Sequence, residues 1–233
     1  MMLVALSLSL LGQVPGQVSA SQMPGESPRT FVLELKLGPY TPRIDYDTDF
    51  KLLDPNEARP YAKVFGGTPM LMGELGLEYL VWQKFGTIGA GVTVSYAEKF
   101  GKALINETTG QLASESTGLR LLPIKPTVSY RFDLLAFKYK VPLVPYVKAA
   151  FVTMPWWSIK GNTLDYADGL PGQGVSFGAA GTVGMSFMMD ILDQRLARDF
   201  DSSVGVNHTY LFAEFTYQEM RSVTRSCSKA FTS

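Results

Sequence analysis

Residues 85–101 read FGTIGAGVTVSYAEKFG, and the fold turns on whether these glycines form a phosphate-cradling loop or lie inside a strand. A dinucleotide-binding turn needs G-x-G-x-x-G. The first glycine makes the tight turn, the second admits the pyrophosphate, and the third lets the helix pack on its strand. Counting from Gly89, the third position is Val94. The run Val92-Thr93-Val94-Ser95-Tyr96 is β-branched and alternating where the motif requires a helix. The stretch reads as a strand. Ile88, Ala90, Val92, Val94 and Tyr96 occupy one face, and Thr87, Gly89, Gly91, Thr93, Ser95 and Ala97 the other.

The same period of two runs along most of the chain. Phe31, Leu33, Leu35 and Leu37 alternate with Val32, Glu34, Lys36 and Gly38. Leu71, Leu75, Leu77, Tyr79 and Val81 oppose Glu74, Gly76, Glu78 and Trp82. Val175, Phe177, Ala179, Val183, Met185 and Phe187 oppose glycines, serines, Ala180 and Thr182. Leu211, Ala213, Phe215 and Tyr217 oppose His208, Glu214, Thr216 and Gln218. Alternation this long marks a strand with a different environment on each face. Residues 122–132 and 143–153 alternate less cleanly because Pro123, Pro126 and Pro145 each remove a ladder donor, so a bulge or a late strand start is expected there.

Composition narrows the class. Lysine plus arginine and aspartate plus glutamate each number 21, so the formal net charge is zero. Nucleic acid is thereby disfavoured as a partner, since phosphate binding calls for a basic excess. The charged fraction of 18% lies below the roughly 25% of soluble domains. No run approaches the ~20 apolar residues of a membrane helix. At the N-terminus, residues 3–11 form a short apolar region and Val18-Ser19-Ala20 has the small-x-small form of a cleavage site, which predicts a secretory signal peptide over 1–20. Its leading region carries no Lys or Arg, so a start upstream of Met1, or a mis-set one, is an open alternative. Cys227 is alone, so neither a disulfide framework nor a cysteine metal site is available.

The strands are linked alternately by long polar loops (40–68, 98–118, 155–173) and shorter links (83–86, 133–142), the pattern of an up-and-down meander whose two ends differ. The link 188–205 is longer, and its Ile191, Leu192, Leu196 and Phe200 are spaced as a short amphipathic helix. The expected organisation is a signal peptide (1–20), a linker (21–30), a barrel (31–218) and an irregular tail (219–233).

Alternation alone does not say which face meets water. Three features favour an apolar face toward lipid. The polar face is largely Gly, Ser, Thr and Ala, which suits a crowded narrow lumen. Its charges balance, Glu34, Glu74, Glu78 and Glu214 against Lys36, Lys125, Arg131 and Lys148, and an interior network would satisfy all of them. Aromatics fall near strand ends, with Trp82, Phe85, Tyr130 and Phe132 at the short-turn end and Tyr40, Tyr96, Trp156, Trp157 and Tyr217 at the long-loop end, as two interface girdles would.

On these features, over residues 31–218, the chain resembles the small outer-membrane β-barrel proteins of Gram-negative bacteria, the OmpA/OmpX/OmpW-like group. The resemblance implies an all-β, up-and-down antiparallel transmembrane β-barrel, nominally of eight strands. It also implies insertion by the barrel-assembly machinery and contact with outer-membrane lipid and lipopolysaccharide; these families mostly lack catalysis, so a non-enzymatic protein without a cofactor is expected. Seven strands can be counted, and a single-chain bacterial barrel needs an even number. The chain ends MRSVTRSCSKAFTS, which places either Arg225 and Lys229 or a set of serines toward lipid. The eighth strand is therefore expected to be missing or degraded after about Met220, through truncation or a shifted reading frame.

Two rival classes carry their own expectations. A secreted soluble barrel binding an apolar ligand would turn the apolar face inward. An outer-membrane lipid-modifying enzyme would need His208, the only histidine, beside a serine and an acid, but Glu214 on the same strand face is about 20 Å away. Asp45, Asp47 and Asp49 look acidic and alternating, yet lack the glycine and terminal Glu of a calcium loop. No metal site is expected.

Overall fold

The structure, a computed structural model, describes residues 6–12, 29–42, 60–102, 104–106, 111–112, 116–161, 163–167, 170–191 and 206–222. In chain order the elements are β1 (Leu6–Gly12), β2 (Phe31–Tyr40), helix α1 (Pro60–Phe65), β3 (Met70–Gln83) and β4 (Thr87–Gly101). Two short loop strands come next, β5 (Leu104–Asn106) and β6 (Gln111–Leu112), then β7 (Thr117–Leu121), β8 (Ile124–Arg131), helix α2 (Leu134–Tyr139) and β9 (Leu143–Lys160). Short strands β10 (Thr163–Leu164), β11 (Tyr166–Ala167) and β12 (Leu170–Pro171) lead to β13 (Gln173–Met188), a 3-10 turn at Met189–Ile191, and β14 (Val206–Ser222).

The strands close into a small antiparallel barrel with the extra strands outside its wall. β2 pairs β3, β3 pairs β4, and β4 pairs β7 at one end and β8 at the other. Both β7 and β8 pair β9, which pairs β13, which pairs β14. The ring is completed by β1, antiparallel to both β14 and β2. Residues 6–12, within the stretch expected to be a signal peptide, stand in this wall as a strand. At the other terminus β14 continues to Ser222, four residues past the expected barrel boundary, while 223–233 lie outside the described residues.

The prolines act as their chemistry requires. The wall position shared by β7 and β8 breaks at Leu122-Pro123, where Ser95 N–H donates to the Pro123 carbonyl (2.8 Å) and Leu122 N–H to that of Pro155 (3.0 Å). Pro126, Pro145 and Pro155 stand inside β8 and β9. β9 is 18 residues long, so the loop expected to begin at Pro155 starts beyond Lys160. Of the amphipathic helix expected over 190–200, only 190–191 are described, in a 3-10 turn at Met189–Ile191, and 192–200 lie outside the described residues.

Gly89 and Gly91 both lie in β4, on its inward side. A Cβ at Gly91 would sit 2.1 Å from the Leu77 carbonyl oxygen and 2.7 Å from Glu78 Cα; one at Gly89 would sit 2.8 Å from Ser129 Oγ. These glycines make room for the neighbouring strand and for interior side chains, not for a phosphate.

Candidate functional site

Parity sorts each long wall strand into two faces, and the outer face is the apolar one. Leu35, Leu75, Leu77, Val92, Val94, Val128, Val147, Phe151, Val183 and Phe215 are all exposed. Their inward neighbours Glu34, Lys36, Glu74, Glu78, Lys125, Arg131, Lys148 and Glu214 are all buried, Glu34 and Glu78 to 1% exposure. Relative to a water-soluble barrel, this is inside out.

The eight interior charges form one connected array. Arg131 Nη2 donates to Glu34 Oε1 (2.6 Å) and Glu78 Oε2 (2.7 Å). Lys148 Nζ donates to both Glu34 oxygens (2.7 and 2.6 Å) and to Glu78 Oε1 (2.8 Å). Lys36 Nζ donates to Glu214 Oε1 (2.9 Å) and lies 3.3 Å from Glu34 and 3.9 Å from Glu74. Lys125 Nζ bonds Glu74 Oε1. Four carboxylates meet four cations, so the array is neutral.

Polar neighbours satisfy the remaining carboxylate lone pairs, which is what makes buried charge tolerable. Ser95 Oγ donates to Glu74 (3.1 Å), Ser129 Oγ to Glu78 (2.9 Å) and Tyr146 Oη to Glu214 (2.9 Å). The Tyr146 ring also lies 5.5 Å from the Arg131 guanidinium and 5.3 Å from Lys148 Nζ. It fits because its register partner is Gly184, where a Cβ would stand 2.3 Å from Tyr146 Cζ. Alternation puts Tyr146 on the polar face but does not by itself bring it into the network. The signal available in the sequence is a tyrosine among lumen charges, opposite a glycine.

Buried apolar clusters bracket the array at both ends. At the loop end Tyr40, Tyr61, Phe65, Met70, Met72, Leu119, Leu121, Met154 and Trp156 form one buried cluster. Helix α1 supplies Tyr61 and Phe65, and Tyr61 Oη donates to the Thr68 carbonyl (2.8 Å). The segment 40–68 is thus more than the plain polar loop expected, and Tyr61, Val64 and Phe65 carry helical spacing. At the turn end Val32, Leu80, Ala136, Val144, Met188 and Tyr210 form a second cluster, with Ala136 contributed by α2. Beside it Asp133 accepts from Thr87 Oγ1 (2.6 Å) and Arg29 Nη1 (3.3 Å). A cavity of about 20 Å³ there, bordered by Arg29, Thr87, Arg131, Asp133, Ser186 and Tyr210, has room for about one water molecule.

The expected girdles need correction. Phe85, Tyr96, Phe132 and Tyr217 are exposed, and Trp82, Tyr130 and Trp157 are half-buried. Tyr40 and Trp156 are instead inside, both 4% exposed, with Tyr40 Oη 3.8 Å from Met154 Sδ. Parity explains both: Tyr40 shares its strand face with Glu34 and Lys36, and Trp156 shares its face with Lys148 and Val152. Trp82 is the opposite case. A register shift between Leu80 and Trp82 pairs it with Ile88 on the outer face of β4, whereas strict alternation would send it inward.

His208 is a buried clasp at the start of β14. Its Nδ1 meets the Asp190 carboxylate, whose other oxygen accepts from Thr209 N–H (3.1 Å), tying the 3-10 turn to the strand. Asp45, Asp47 and Asp49 lie outside the described residues. Compared with protein families, with curated proteins and with solved structures, the chain matches none.

Proposed function

We propose that this chain is a non-enzymatic outer-membrane β-barrel protein that spans the membrane with eight strands, counting β7 and β8 as one. The observation that carries this reading is the inverted wall: bulky apolar side chains face outward on each long strand, while balanced charge is buried in the lumen. Water outside such a wall would leave an apolar surface far larger than the few hundred Å² that soluble monomers expose. Lipid removes that cost, and where the ring is paired its ladders satisfy backbone groups that hydrocarbon cannot.

The filled lumen supports a structural or interaction role over passage of solutes. The ion-pair array is bracketed by two apolar clusters, and a small barrel has an interior just wide enough for side chains. In this reading the outer surface meets membrane lipid and lipopolysaccharide, and insertion depends on the barrel-assembly machinery. A soluble ligand-binding barrel would want an apolar interior, whereas this interior carries the charges.

The test is refolding of the full chain into detergent micelles, with gel mobility compared before and after boiling. A faster-running unboiled band supports the reading. A chain that is soluble and monomeric without detergent, with no mobility shift, refutes it.

A further inference from the structure

One slot in the wall is filled differently from the rest. β1 runs antiparallel to both neighbours, with Leu6 opposite Leu37 at its loop end and Gly12 opposite Phe31 and Val206 at its turn end. It is seven residues long beside a 17-residue β14. Beyond Phe212, β14 continues to Ser222 paired with β13 on one side, and no described strand pairs its other edge over 213–222. Residues 13–30 separate β1 from β2, so β1 is tethered by a long connection and not by a tight hairpin.

The strands that flank the slot are also bridged across it. Lys36 on β2 reaches Glu214 on β14 at 2.9 Å, and its Nζ stands 5.7 Å from the Phe212 ring centroid. Strands two positions apart in a sheet lie roughly 9.6 Å apart, a gap that a Lys–Glu pair can bridge from the lumen. This bridge does not use β1.

We propose that the seam between β2 and β14 is a strand-acceptor site. Its ligand is an extended peptide alternating apolar and small residues, bound through main-chain hydrogen bonds to both neighbours, as in strand addition to a sheet edge. The occupant is Leu6–Gly12, LSLSLLG, held in place without needing its covalent link to β2. Cleavage after Ala20, which Val18-Ser19-Ala20 predicts, would sever that link and convert β1 into an exchangeable wall element.

The test places a protease site within 13–28 of the full chain, folds the protein in micelles, cuts it, and adds a fluorescent peptide of residues 4–14. The nicked barrel should take up about one peptide per chain, and a Leu8→Pro peptide, which lacks a main-chain donor, should bind at least about tenfold more weakly. If the nicked barrel opens, recovery of the compact band on adding the peptide also supports the proposal. A compact nicked barrel that takes up no peptide, an opened one that the peptide does not restore, or equal binding of the proline peptide overturns it. In the uncut chain, with Cys227→Ser, cysteines at 8 and 35 should be joined by a short bis-methanethiosulfonate, each thiolate displacing methanesulfinate; failure to join them in the folded protein overturns the placement of β1. Membrane location is not at stake, since the exchange reads the same in buffer if the barrel proves soluble.

Discussion

Lys148 Nζ lies 2.6 Å from Glu34 Oε2 and 2.8 Å from Glu78 Oε1, joining β9 to β2 and β3 across the lumen. β9 is not a wall neighbour of either strand, so this one ammonium ties together parts of the wall that no direct backbone ladder connects. The pair is also fully shielded, which makes the effect of removing one member large. Breaking a buried pair leaves an uncompensated charge and costs about 3–5 kcal/mol.

Glu34→Gln should therefore destabilise the barrel by that amount, because it strips a carboxylate from Arg131, Lys148 and Lys36 together. Urea unfolding in micelles measures it. Adding Lys148→Met should recover part of the loss, so the double variant lies well short of the sum of the two single changes. Additive losses would mean the two side chains do not interact.

Val147→Arg tests the outer face. Val147 is 50% exposed and sits next to Lys148, at the level of the array. In lipid an arginine there costs roughly 2–4 kcal/mol, whereas on a water-facing surface the change should stay within about 0.5 kcal/mol. Unfolding in lipid vesicles separates the two values.

Gly91→Ala tests the crowding of the lumen. The added methyl would overlap the Leu77 carbonyl and Glu78 Cα, so the β3–β4 pairing must shift, at about 1–3 kcal/mol. Gly73→Ala is the control, with nothing within 4 Å of its Cβ. The first variant should lower the temperature at which the compact band is lost, and the second should leave it unchanged.

The three tryptophans separate the corrected girdle from the expected one. In single-tryptophan variants, brominated lipid should quench Trp82 and Trp157, which are half-exposed, and leave buried Trp156 bright. Equal quenching of Trp156 would restore it to the interface.

Much of this architecture is legible in the sequence because β-strands repeat every two residues and the lumen charges keep strict phase. The spacing of Glu34, Lys36, Glu74 and Glu78 puts each pair on one strand face, and the charge balance of that face points it inward. The same phase places Tyr40 and Trp156 inside; their position near strand ends suggests otherwise, and parity decides. Trp82 is not open to that logic, since the register shift that turns it outward leaves no mark in a list of residue types. Helix α1 is hidden within a long polar loop, where a stretch of six residues is too short for its period to stand out. β1 is obscured by ambiguity of composition: an alternating Leu-Ser run serves equally as a signal-peptide core and as a wall strand. The wall strand shows itself only in pairing across the chain, to β14 some 200 residues away, and no local pattern reports such pairing.

The most direct test of the inverted wall is a nitroxide scan along 143–153 of β9, in vesicles, with Cys227 replaced by Ser. Inward positions 144, 146, 148 and 152 should alternate with outward positions 143, 147, 149 and 151. At the outward positions, collision with oxygen, which concentrates in lipid, should be high, and collision with a water-soluble nickel chelate low. High nickel accessibility at 147, 149 and 151 would place those side chains in water and contradict the membrane-spanning account.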